Sequence, residues 1–113
     1  KAFKIAVMDS GAYAVMTAYN KINGQFSSTS FDLLNGILRG EWGFDGLVMT
    51  DWNPCSNPKE HSYAGNDLIM PGCHRQKIIE GLASGEVSRA SAQKCACRVL
   101  NLILRSNYVI ENR

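Results

Sequence analysis

The chain has 113 residues, enough for one domain with a real hydrophobic core and too few for two. Hydrophobic residues make up 45% and charged residues 19%, without a charge block or low-complexity tract, which excludes disordered and fibrous classes. A formal net charge of only +2, scattered along the chain, leaves no footprint for nucleic acid, and no apolar run reaches the roughly 20 residues of a membrane helix.

The chain opens without Met and inside a helical pattern, so the expectation is a segment of something longer, and targeting is not readable from it. Phe3 to Asp9 reads as a helix end, with Phe3, Ala6 and Val7 on one stripe and Gly11 as its stop. Tyr13 to Tyr19 is a short, weakly charged β-favouring run, as expected of a strand buried on both faces. Asn20 to Ser28 is a polar strand-to-helix loop containing the turn pair Asn23-Gly24. Thr29, with Asp32 three positions on, is the expected cap of the next helix. Phe31, Leu34 and Leu38 form that helix's buried stripe, and Gly40 closes it.

Leu47 to Thr50 is the next strand and ends at Asp51. Asn57, Pro58 and Glu60 supply a cap, a first-turn proline and an acid for a short helix. Asp67 to Met70 reads as a third strand, stopped by Pro71-Gly72. A short helix over Gln76 to Ala83, a break at Gly85 and a longer helix from Ser88 complete the order. On that last helix Cys95, Val99, Leu102 and Ile103 share an apolar stripe. Alternating helices and strands predict an α/β fold with parallel strands and right-handed crossovers. About three strands are too few for a closed eight-stranded barrel, so the expected architecture is a partial TIM-type barrel.

In parallel α/β folds reactive groups gather at the C-terminal ends of strands. That rule puts Asp51 and Trp52 on the active face, together with Tyr19 and Asn20, and puts Asp45 and Asp67 on the opposite, structural side. A strand-end carboxylate beside an indole suits sugar chemistry: the carboxylate attacks an anomeric carbon, and the indole offers a platform for the ring. By spacing alone, Asp51 is equally well read as a loop-stabilising acid, and Met16 and Tyr19 as core and rim residues.

Three motifs in order, VMTAYNKING (Val15–Gly24), LLNGILRGEWGFDGLVMTDW (Leu33–Trp52) and AGNDLIMPG (Ala64–Gly72), resemble glycoside hydrolase family 3, as does the tail from Gly85 to Leu104. The resemblance covers nearly the whole chain as a single unit, residues 1–113, from the C-terminal part of that family's N-terminal (β/α)8 barrel. It implies that Asp51 is the catalytic nucleophile of a retaining, β-glucosidase-like hydrolase. It also implies that Trp52 lines the site beside the leaving group and that Met16 and Tyr19 border the sugar pocket. The substrate so implied is an oligosaccharide or glycoside, and no cofactor or metal is called for. The family's Lys-His sugar-binding pair and its acid/base residue have no counterpart in this sequence. Hence the isolated chain is expected to be inactive or nearly so.

The remaining readings are structural. Asp51, His61 and His74 lack metal-ligand spacing; His61 reads as a surface residue and His74 as a loop residue. Gly40, Gly43 and Gly46 precede a strand, which rules out a phosphate loop. Trp42 and Phe44 read as packing residues. The four cysteines, Cys55, Cys73, Cys95 and Cys97, read as free thiols, although Cys55 and Cys73 follow successive strands and could approach one another. A non-catalytic partial-barrel module for carbohydrate binding or assembly is the rival class. Either way, open strand edges and a bared barrel face, at Val15, Val48 and Leu68 or their neighbours, predict self-association of the isolated chain.

Overall fold

The computed structural model describes residues 1–54, 56–72 and 74–106. Helix α1 (Ala2–Met8) leads into strand β1 (Ala14–Thr17), a hairpin of β2 (Lys21–Ile22) and β3 (Gln25–Phe26), and a π-helix (Asp32–Glu41). Strand β4 (Leu47–Thr50) follows, then helices α2 (Pro58–Ala64), α3 (Arg75–Ser84) and α4 (Arg89–Leu104). Strands β1 and β4 pair in parallel, with Ala14 opposite Leu47 and Thr17 opposite Thr50. The α/β reading holds, with helices joining parallel strands.

Side chains alternate across a strand, and here the alternation decides what is core. Val48 is fully buried in one cluster with Leu34 and Leu38 of the π-helix, Phe44 and Ala64, and Val15 and Trp42 pack against its edge. Val15 and Val48 therefore face the helices, which corrects their assignment to the bared barrel side. Their neighbours Ala14 and Met16 are the exposed positions on β1. Gly46 lets β1 and β4 meet: a Cβ there would lie 2.3 Å from the Tyr13 carbonyl oxygen.

The predicted third strand shrinks to one parallel bridge, Met49 to Leu68. Leu68 N–H donates to the Val48 carbonyl (3.2 Å) and Thr50 N–H to the Leu68 carbonyl (3.0 Å). Beyond that bridge, side-chain oxygens replace the ladder. Asp67 Oδ2 accepts the Val48 N–H (2.8 Å), and Thr50 Oγ1 accepts the Met70 N–H (2.9 Å). Both backbone donors are satisfied, so nothing drives the segment to a regular strand.

Helix boundaries shift for similar local reasons. Thr29 does not cap the π-helix; its hydroxyl donates to the Phe26 carbonyl, and Ser30 Oγ accepts the Leu33 N–H (3.3 Å) instead. Leu34 and Leu38 are buried as expected, whereas Phe31 precedes the helix, is exposed, and packs on Tyr63 with ring centroids 5.4 Å apart. Helix α1 touches the core only through Val7, and Phe3 remains 74% exposed. Asn57 caps α2 through its Oδ1 and the Lys59 N–H (3.1 Å), as predicted. On α4 Cys95, Val99 and Leu102 are half-buried while Ile103 is exposed. Cys95 and Cys97 are free thiols; burial and the nearby Asp67 push Cys95 up to about 11. Cys55 and Cys73 lie outside the described residues.

The Asp67 carboxylate, wholly buried, is where these elements meet. Arg39 of the π-helix binds Oδ2 at 2.8 Å, and Arg98 of α4 binds Oδ1 at 2.9 Å. Arg39 also donates to the Gly46 carbonyl (3.0 Å). Burial lowers the Arg39 pKa, and Asp67 opposes that shift. Removing one partner of a buried ion pair typically costs about 3–5 kcal/mol, because a charge is left unpaired. Asp67→Ala is accordingly expected to destabilise the fold by an amount in that range, measured by denaturant unfolding. A loss within the roughly 0.5 kcal/mol of a surface substitution would show that the network does not hold the elements together.

Candidate active site

Because β1 and β4 run in parallel and in register, their C-terminal ends open on the same side. Asp51 directly follows β4, and its N–H donates to the Thr17 carbonyl at the end of β1 (3.3 Å). Its Oδ1 accepts the Trp52 N–H (2.6 Å), a bond that fixes the orientation of the carboxyl group. The Tyr19 hydroxyl donates to the Trp52 carbonyl, tying the loop after β1 to the loop after β4. Asn53 then turns the chain away with φ +47°, a left-handed conformation that Asn tolerates better than most residues.

The structure thus brings Asp51, Trp52 and Tyr19 together. Met16 lies on β1 below them, opposite Met49. Met16, Tyr19 and Trp52 are 58%, 46% and 60% exposed. The site is an open, partly aromatic surface with one carboxylate, rather than an enclosed pocket. Other acids are engaged elsewhere: Asp67 by two arginines, Glu86 by Lys59, and Glu60 by the Ser56 hydroxyl.

Beneath the strand ends lies a buried polar layer that sequence reasoning missed. Thr17 Oγ1 donates to Asn66 Oδ1 (3.0 Å), and the Met49 carbonyl is 3.3 Å away. Asn66 Nδ2 donates to the carbonyls of Ser28 (2.6 Å) and His61 (3.1 Å). His61 Nδ1 lies 3.1 Å from the same Ser28 carbonyl. A carbonyl only accepts, so Nδ1 carries the proton. His61 is completely buried, which corrects its reading as a surface residue. The legible signal was its position four residues after the Asn57 cap, on the side of α2 that also carries the buried Ala64. His74 stands at the head of α3. Among the described residues, no group of three or more His, Cys, Asp or Glu side chains is placed to hold a metal ion. Also among them, no helix is long and apolar enough to cross a membrane.

A parallel α/β unit presenting a strand-end carboxylate and an adjacent indole defines the class of site. The model of the glycosyl hydrolase family 3 N-terminal domain matches residues 1–102, and the chain belongs to that family. It is 44% identical over 108 residues to a probable β-glucosidase K of Emericella nidulans, an alignment covering 93% of this chain. A β-glucosidase of Rhizobium radiobacter is 42% identical over 106 residues, covering 91%. The solved structure of β-glucosidase 3B from Thermotoga neapolitana with glycerol superposes with a TM-score of 0.85 at 41% identity, over 90% of this chain and 16% of that one. The chain spans only 13% of the length of each of the two curated relatives.

Burial is the main cause that lowers the His61 pKa; the Ser28 carbonyl and Glu60 oppose it. The unfolded chain therefore binds the proton more readily, and stability is present above the unfolded pKa of about 6.5 and is lost as pH falls below it. The melting temperature is expected to decline between about pH 7 and pH 5.5. His61→Asn should flatten that slope whatever its overall stability cost. An unchanged slope in the variant would assign the decline to other groups.

Proposed function

We propose that this chain is the nucleophile-bearing segment of a retaining β-glucosidase that cleaves terminal β-glycosidic bonds. The observation that carries the reading is Asp51: a carboxylate at the end of a parallel strand, held through Oδ1 by the next backbone N–H, inside a chain of which 93% aligns with a probable β-glucosidase. With Oδ1 engaged, Oδ2 is the oxygen that attacks the anomeric carbon and forms a glycosyl ester. Retention needs a second carboxyl about 5–5.5 Å from the first. That acid/base residue is assigned to a part of the enzyme beyond this chain. Trp52 stacks against the sugar or leaving group, and Met16 and Tyr19 border the same surface.

The pairing of β1 with β4, and of β4 with the segment at Leu68, supports an arc of three adjacent strands from an eight-stranded barrel. Such an arc carries one of the two carboxyls, so the isolated chain is inactive. In the full-length enzyme, Asp51→Ala is expected to abolish turnover while leaving the melting temperature within a few degrees. Trapping with a 2-fluoro glycoside, followed by peptide mapping, identifies the nucleophile. A label on any residue other than Asp51 refutes the assignment.

Among the described residues, the same arc leaves β1 paired on one edge only, with Ala14 and Met16 exposed, a combination that favours pairing with a second copy. Size-exclusion chromatography with light scattering, run over a dilution series of the isolated chain, is expected to show a dimer at micromolar concentration. A stable monomer would mean that the chain covers its own edges.

A further inference from the structure

The buried polar layer under the strand ends contains one side chain that touches both halves of the site, and that side chain is Asn66. It is 1% exposed and sits between the αL residue Gly65 and the structural Asp67. Its amide orientation is fixed without reference to any ligand. Nδ2 faces the Ser28 and His61 carbonyls, which can only accept, so Oδ1 is left as the acceptor for the Thr17 hydroxyl. Two lines of bonds lead outward from it. Through Thr17 it reaches the carbonyl that accepts the Asp51 N–H. Through Ser28 it reaches the loop after β1, where Ser27 Oγ donates to the Ala18 carbonyl (2.9 Å) and the Ser27 N–H to the Asn20 carbonyl (3.0 Å). Those two carbonyls flank Tyr19, whose hydroxyl holds the Trp52 carbonyl.

From this geometry we infer that Asn66 is a positioning residue for the reaction: it sets where Asp51 is presented relative to Tyr19 and Trp52. The inference rests on Asp51 as the nucleophile. Asn66 does not reach the solvent-facing surface and touches no substrate. Its effect runs through the Thr17 hydroxyl and the Ser28 carbonyl. An apolar residue at 66 would leave the Thr17 hydroxyl with only the Met49 carbonyl and the Ser28 carbonyl with only the His61 Nδ1–H. The bonded link between the β1 end and the loop after it would be lost, and the β1 end would be free to shift. An attack that depends on sub-ångström placement is sensitive to such a shift: a misplacement of about 1 Å is worth about 100-fold in rate.

Two variants of the full-length enzyme test this. Asn66→Ala removes the centre of the layer. Thr17→Val removes only the hydroxyl that Asn66 accepts from, at nearly constant shape. The concentration of competent sites is counted by 2-fluoro glycoside labelling, so that partial misfolding is not mistaken for slow chemistry. Per labelled site, both variants are expected to lower kcat about 10- to 100-fold with KM changed by no more than about threefold. Thr17→Ser, which keeps the hydroxyl, should restore most of the rate. The double variant should be no slower than Asn66→Ala alone, because both act along one path. If Asn66→Ala yields no folded enzyme, Thr17→Val and Thr17→Ser carry the test by themselves. Label on Asp51 with kcat per site unchanged in the folded variants, even with a lowered melting temperature, overturns the inference and leaves the nucleophile assignment standing. Label on another residue overturns both.

Discussion

The buried carboxylate of Asp67 is the constraint on which the remaining architecture depends. A carboxylate taken fully out of water is tolerated only when its oxygens are saturated by donors, and ideally by charge. Here the donors come from three parts of the fold: a guanidinium of the π-helix, a guanidinium of α4 and the backbone N–H of Val48 in β4, while Arg39 also donates to the Gly46 carbonyl just before that strand. Satisfying one acid therefore brings two helices and the central strand into a fixed relation. The strand so fixed is the one that ends in Asp51.

Above this charged anchor the molecule is layered by chemistry. The apolar cluster of Leu34, Leu38, Phe44, Val48 and Ala64 occupies the space between strand and helices. Toward the strand ends it gives way to Thr17, Ser28, His61 and Asn66, all buried and all polar. An apolar core tolerates small sliding of one element on another, because dispersion contacts are non-directional. Directional hydrogen bonds do not tolerate it. Placing the polar layer next to the strand ends puts the stiffest part of the packing directly under the residues whose direction matters. At the surface, Met16, Tyr19 and Trp52 remain exposed.

Much of the outline was legible locally. The alternation of helical and β patterns predicted parallel α/β structure, Asn57 and Pro58 marked the start of α2, and the position of Asp51 after LVMT put it at a strand end. The motif around Asp51 carried the family resemblance that the domain match and the relatives then established. Errors arose where a partner distant in sequence decided the outcome. Val48 and Val15 each fit either face of a two-sided strand, and only the π-helix and Phe44 select the inner one. His61 on a short polar helix looks like a surface residue until the Ser28 carbonyl, 33 residues away in sequence, claims its Nδ1. Thr29 is the exception, a local one: it has the spacing of a cap, yet its hydroxyl goes to the Phe26 carbonyl three residues before it.

What the sequence alone determined was therefore the order of elements and the residue types at strand ends, because propensity, capping and turn chemistry act over a few neighbours. Tertiary structure decided which oxygens satisfy which backbone donors. Asp67 and Thr50 take the N–H groups that a longer third strand would have used, and Asn66 joins β1, the turn at Ser28 and α2, which no local pattern relates. Those choices depend on which groups are left dry and unpaired when the chain packs. Desolvation acts on the assembled interior, and short-range sequence pattern carries no record of it.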